Sequence, residues 1–324
     1  MSYLPMGQVD VIKRPQFVEE LVEGTLPLNN GVTPTAGPVT FTTMGWTSQI
    51  GEEIAIENDK LRMLGSYDVE KQLKLGFTIT SSIVTKPFDF KLAGYGMKVP
   101  VPPTTTPPDP TGVARNGTSG VSISILMSAR IDGVEKYKIW KGVKFNGCEG
   151  TISREGGCTF TMPFEAQEVT DWGVEPVWTN GAATYAPNPT GTDPFTGISG
   201  GVDPLKINTV AYDTSEFSFN IDLGMNKYTP NGKETFKFRK SMARSISVSF
   251  NTLVKNNVLV GDLRAYTPRD VEYTFHSTGP KKLTFLGVQF EGYTRNLDAT
   301  STDFGIEEFE GMTSGAGGVT IADP

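Results

Sequence analysis

The chain has one histidine and two cysteines among 324 residues, and no apolar run of membrane-spanning length. Each scarcity removes a class of function. His276 sits alone in the alternating stretch "VEYTFHST". It has no partner histidine for a zinc site, and Ser-His-Asp chemistry would have to be assembled around it alone, so it reads as structural. Cys148 and Cys158 are too few for a disulfide framework in a chain this long. Their spacing across "CEGTISREGGC" would let them face each other over a hairpin, so two reduced thiols and one cross-strand bridge both stay open. The densest apolar stretch, "VSISILMSA" at 121–129, is interleaved with serine and falls well short of the about 18 residues of a spanning helix. No basic start followed by an apolar run opens the sequence. It reads as a soluble chain made in the cytoplasm without a signal peptide, and no membrane partner is expected.

Motifs of catalysis are missing too. There is no G-x-S-x-G, no GxxxxGK[ST], no H-E-x-x-H and no dinucleotide fingerprint. Glu52 with Glu53, or Glu307 with Glu308, could be offered as glycosidase-like acid pairs. Adjacent residues of a strand point to opposite faces, so neither pair converges. The expectation is no enzyme, no cofactor and no metal. "NGT" at 116–118 matches a glycosylation site but is idle without secretion. A formal net charge of -7 argues against a large nucleic-acid-binding face, because phosphate neutralisation needs clustered Lys and Arg. A surface that DNA passes without sticking is compatible with it.

What the chain does have is 36 glycines and 22 prolines without a collagen-like period. They punctuate many short strands and long loops, and the reading is all-β with short helices. "GVKFNG" at 142–147 is echoed by "GVQFEG" at 287–292. Sliding the chain by 145 positions without a gap matches Gly142, Val143, Phe145, Gly147, Phe164 and Glu165 with Gly287, Val288, Phe290, Gly292, Phe309 and Glu310. Upstream, "VEKQLKLGFTITSSI" and "TFKFRKSMARSISVSF" are long alternating segments with one apolar face, preceded by alternating strands around Trp46 and around Phe217 and Phe219. A short helical piece follows each, with Leu92 and Tyr95 set against Leu263 and Tyr266.

This pattern predicts two tandem β modules, at 40–168 and 210–316. Around them lie an arm at 1–39, a Pro/Thr-rich loop insertion at 98–120, a linker at 169–209 and a tail at 317–324. The candidate module core is Trp46, Leu75, Phe77, Phe145, Phe217, Phe219, Met242, Val248 and Phe290. Trp172 and Trp178, in the linker, are expected to pack on a neighbouring surface. The serine ladder from Ser241 to Ser249 suits either a channel lining or an ordinary solvated face.

In "SEFSFNIDLGMNKY", "FKFRKSMARSISVSFNTLV", "VLVGDLRAYTP" and "LGVQFEGYTRNLDATSTDFGIEEFEGM", and more loosely in "WTSQIGEEIAI" and "GSYDVEKQLKLGFTITSSIV", the chain resembles the tail tube (major tail) proteins of tailed bacterial and archaeal viruses. The resemblance implies a β-sandwich flanked by a short helix, with strands of neighbouring subunits joining into a shared lumen-lining barrel. Rings of that family usually carry six modules. A two-module chain would close a pseudo-hexamer from three subunits, and rings would stack head to tail in a virion tail. Glu70, Gln72, Lys74, Lys237, Arg239, Ser245 and Ser247 become the candidate lumen lining. Family lumens are often acidic, and Lys74, Lys237 and Arg239 run against that. The partners implied are further copies of the chain, a tape-measure protein in the lumen during assembly, and DNA only in passage. The arm, the 98–120 loop and the tail would meet the next ring. Long open strand edges fit a closed ring, which pairs them. The alternative is a tandem β-sandwich decoration or adhesion protein that binds a surface partner, for which blunted edges are expected.

Overall fold

Alternation with a period of two dominates the sequence, and the chain folds almost wholly as antiparallel strands. The computed structural model describes residues 10–20, 24, 40–61, 71–98, 122–153, 157–176, 183–187, 194–195, 204–229, 238–241, 244–253, 258–275, 281–296, 306–313 and 318–322. The first half runs β1 (Asp10–Glu19), β2 (Thr42–Thr43), β3 (Trp46–Ile50), β4 (Glu53–Leu61), β5 (Lys71–Lys86), α1 (Lys91–Met97), β6 (Ile123–Ile131), β7 (Val134–Phe145), β8 (Gly147–Ser153), β9 (Gly157–Ala166) and β10 (Glu168–Val169). The second runs β11 (Leu205–Ile207), β12 (Val210–Tyr212), β13 (Glu216–Asp222), β14 (Met225–Tyr228), β15 (Phe238–Ser241), β16 (Ser245–Leu253), α2 (Val258–Ala265), β17 (Arg269–Phe275), β18 (Lys281–Asn296), β19 (Ile306–Thr313) and β20 (Val319–Ala322). The expected all-β class with short helices is what forms.

The two halves use the same ladders. Trp46 to Leu61 lie along Lys86 to Lys71, and Phe217 to Tyr228 lie along Phe250 to Phe238. β9 returns beside β5 with Ala166 opposite Ile79, and β19 beside β16 with Met312 opposite Ser247. β1 covers β6 as β11 covers β17, and β10 borders β7 as β20 borders β18. Between the halves runs one further ladder: β8 pairs with β13, from Gly147 opposite Asp222 to Ser153 opposite Glu216.

Several expectations shift. The segment 236–252 is not one continuous strand. It divides into β15 and β16, and Arg244 between them lies outside either strand. One more residue stands between Ser241 and Ser245 than between Asp222 and Met225, so the alternation of β16 does not carry over into β15. β5 shifts likewise at Leu75, where the register steps from Glu57 opposite Gly76 to Asn58 opposite Lys74.

The gapless slide fails at the hairpin. Phe145 faces Phe164, whereas Phe290 faces Gly311. Phe309, which the slide sets against Phe164, pairs with Tyr293 instead. The second hairpin is thus longer by two residues, which leaves every face unchanged, since two residues are one strand repeat. Leu92 and Leu259 are each the second residue of their helix and both are buried, so α2 aligns on Leu259 and not on Leu263.

The segments outside the expected modules also contribute to the sheet. β1 lies within the expected arm, β11 within the linker and β20 within the tail, each paired inside the chain. The 98–120 loop, apart from Lys98, lies outside the described residues, as do His276 and Trp178.

One hydrophobic cluster spans both halves. Phe160 of β9 packs edge-on against Phe219 of β13 with ring centroids 5.5 Å apart. Phe90, just before α1, meets Phe275 of β17 at 5.4 Å. Phe195, from the connecting segment, packs against both at 4.9 and 5.0 Å, with 1% of its surface exposed. Each such ring contributes about 1.5–3 kcal/mol by leaving water. Trp172 packs partly buried against this cluster.

Candidate functional site: an acidic sheet face and two open edges

Strands β9, β8, β13, β16 and β19 are consecutive neighbours in the sheet. Their apolar residues alternate onto one side, where Phe160, Cys148, Phe219, Val248 and Phe309 are all buried. The polar residues between them form the other side. Across this second face the charged strand positions are Glu149, Glu165, Glu216, Asp222, Glu308 and Glu310, and all are acidic. Serine and asparagine fill much of the space between, with Ser247 opposite Asn220 and Ser249 opposite both Ser218 and Glu310. The surface is hollowed into a trough of about 560 Å³ bordered by Glu149, Asn220, Ser247, Glu291 and Glu310. Like charges on a concave wall reinforce each other's potential, so the trough repels polyanions.

Ser245 and Ser247 lie on this face, Ser245 opposite Asp222. Gln72 and Lys74 stand opposite Lys60 and Asn58, beyond the register step at Leu75, and Arg239 stands opposite Lys227 in the separate β14–β15 hairpin. Their side chains, and Glu70 and Lys237 altogether, lie outside the described residues. The acids that define the face do not emerge as a group from the sequence. Their signal is spread thinly, at most two per strand and none on β16, and shows only when five strands are summed in register.

Among the candidate core residues, Phe145, Phe217, Phe219, Val248 and Phe290 are buried. Trp46 is half-buried, with the Arg14 guanidinium 4.6 Å from its ring centre. The side chains of Leu75, Phe77 and Met242 lie outside the described residues. The two cysteines are free and buried, on adjacent strands but in different pairs: Cys148 faces Ile221 and Cys158 faces Ile152. Glu307 and Glu308 do point to opposite faces. Glu307 is 2% exposed and holds Arg295 and the Tyr293 hydroxyl, while Glu308 is exposed in the trough face. Glu52 is ion-paired with Lys138 at 2.9 Å.

Among the described residues several strand edges carry no strand partner, and two of them are the counterparts of the edges joined in the β8–β13 ladder. One is the outer edge of β3 and β4, whose other edge is taken by β5. Ile54 on it is 51% exposed. The other is the outer edge of the end of β18, from Gly292 to Asn296, whose inner edge is taken by β19.

No curated protein matches the chain. The family model described as phage tail tube protein matches residues 32–317, which takes in both halves of the sheet. By that match this all-β chain belongs to the phage tail tube protein family, whose members are structural proteins that assemble into the tube of the virion tail.

Proposed function

We propose that this chain is a two-module tail tube subunit, that three copies close a pseudo-hexameric ring, and that the rings stack around a channel for the genome. The observation that carries this reading is the β8–β13 ladder. It joins two halves that use the same strand pairings, and it leaves the counterpart edges of those halves open. A sheet that joins itself once within a chain can continue through the next chain by the same geometry, and closure then removes these two edges.

The acidic face of β8, β9, β13, β16 and β19 becomes the channel wall in this reading. Its acids would let DNA pass without sticking. A tape-measure protein would occupy the channel during assembly. Stacking of rings is a head-to-tail contact that grows until something terminates it. Negative-stain microscopy of the purified protein tests the reading: the expected particles are stacked rings with a central hole and three-fold symmetry. Monomers under every assembly condition would refute it.

A further inference from the structure

Two glycines of the same sequence echo have different surroundings. Gly147 has no room for a side chain, because a methyl group there would collide with the Ile221 carbonyl oxygen of the adjacent strand β13. Gly292, 145 positions later, meets only the Glu310 side chain, at 3.2 Å. Among the described residues no strand lies against it as β13 lies against Gly147. The counterpart of Ile221 is just as distinctive. Leu61 opposite Lys71 and Tyr228 opposite Phe238 set β3–β4 and β13–β14 in register at 167 positions, which makes Ile54 the equivalent of Ile221. Ile221 is fully buried under β8, whereas Ile54 is 51% exposed.

Resting on the ring reading above, we propose that β18 of one copy pairs antiparallel with β3–β4 of a second copy, in the register of the internal β8–β13 ladder. Gly292 then faces Ala55, Tyr293 faces Ile54, Thr294 faces Glu53 and Arg295 faces Glu52. Each pair is the transposed image of an internal one: Gly147 with Asp222, Cys148 with Ile221, Glu149 with Asn220, and Gly150 with Phe219. The missing side chain of Gly292 leaves space for the Ile54 carbonyl, as Gly147 does for Ile221. Tyr293 covers Ile54. A register slip of one residue would turn Ile54 away from Tyr293 and set Thr294 against it.

The test is a cysteine pair on the exposed side of the proposed ladder, Glu53→Cys with Thr294→Cys, in the full-length chain. Cys148 and Cys158 are buried and do not compete. The expected result is disulfide-linked multimers on a non-reducing gel from assembled protein, with none from Ala55→Cys with Thr294→Cys, because a diagonal pair lies too far apart for an S–S bond. Gly292→Val should fold with an unchanged far-UV spectrum yet lose ring formation. Rings that cross-link only through the Ala55 pair, or Gly292→Val rings like those of the parent chain, overturn the ladder and leave the ring reading standing. A parent chain that forms no rings overturns both.

Discussion

The Glu20 carboxylate accepts a hydrogen bond from the Gly142 amide at 2.8 Å, with only 2% of Glu20 exposed. The hydroxyls of Ser122 and Ser124, at 2.6 and 2.5 Å, and the Gly24 amide, at 2.8 Å, donate to the same group. Gly142 stands at φ +64, a backbone conformation that glycine adopts without strain. Gly287, its echo, stands at φ +62 and donates its amide to Asp270 at 2.8 Å. An acid thus fixes the turn of the strand in both halves, buried in one and exposed in the other.

Removing the buried acid should be costly. Glu20→Ala leaves two hydroxyls and two amides without their acceptor, and the expected loss is about 3 kcal/mol in urea unfolding. Glu20→Gln keeps one acceptor oxygen and should lose less. Equal losses for the two variants would show that the hydrogen bonds contribute little.

The same residue sets a pH dependence. Burial pushes the Glu20 carboxyl above its ordinary value, against the pull of its four hydrogen bonds. A group that holds its proton more tightly when folded stabilises most below the unfolded value of 4.5, and that stabilisation is lost as pH rises through the folded value. Glu20→Gln has no such dependence. Its melting temperature should therefore lie furthest below that of the parent chain near pH 4 and approach it near pH 8. A gap that widens with pH would contradict the assignment.

Asp262 in α2 and Arg269 in β17 form a two-pronged pair, with Nε to Oδ2 at 2.8 Å and a second nitrogen to Oδ1 at 2.5 Å. The carboxylate raises the guanidinium above its ordinary value. Arg269→Lys cannot reproduce the fork and should cost about 1–2 kcal/mol by equilibrium unfolding, close to the loss from Arg269→Ala. Full recovery with lysine would show that charge alone matters there.

Burial pushes both thiols up, with the charge of Glu149 adding to the effect at Cys148. Neither cysteine should react with iodoacetamide at about pH 8 in the native protein, and both should react once it is unfolded in urea. Mass spectrometry of the labelled chain reads the outcome directly.

Phe195 lies in a stretch whose composition reads as a linker, yet it is a core residue. Phe195→Ala should cost about 3–5 kcal/mol, as for any large ring removed from a packed interior. A loss under about 1 kcal/mol would mean that its neighbours close the gap.

Alternation made the strands and most of their buried faces legible, because a period of two survives without any knowledge of partners. It placed Phe145, Phe217, Phe219, Val248 and Phe290 on faces that are buried. It could not see the register step at Leu75 or the break between β15 and β16, since one extra residue resets the period without changing composition. That is why Lys74 and Arg239 looked like neighbours of Ser245 and Ser247. Phe195 was invisible for a different reason: a single aromatic among Gly, Pro and Thr has no pattern to reveal it. The acids of the trough were visible singly but not together, because strand order in a sheet is long-range information.

The β8–β13 ladder is a joint closed within one polypeptide, and its two strands are held together by the chain at any dilution. An equal ladder between separate chains falls apart once protein concentration drops below its dissociation constant. Holding both strands in one polypeptide therefore makes this joint independent of how much protein has been produced.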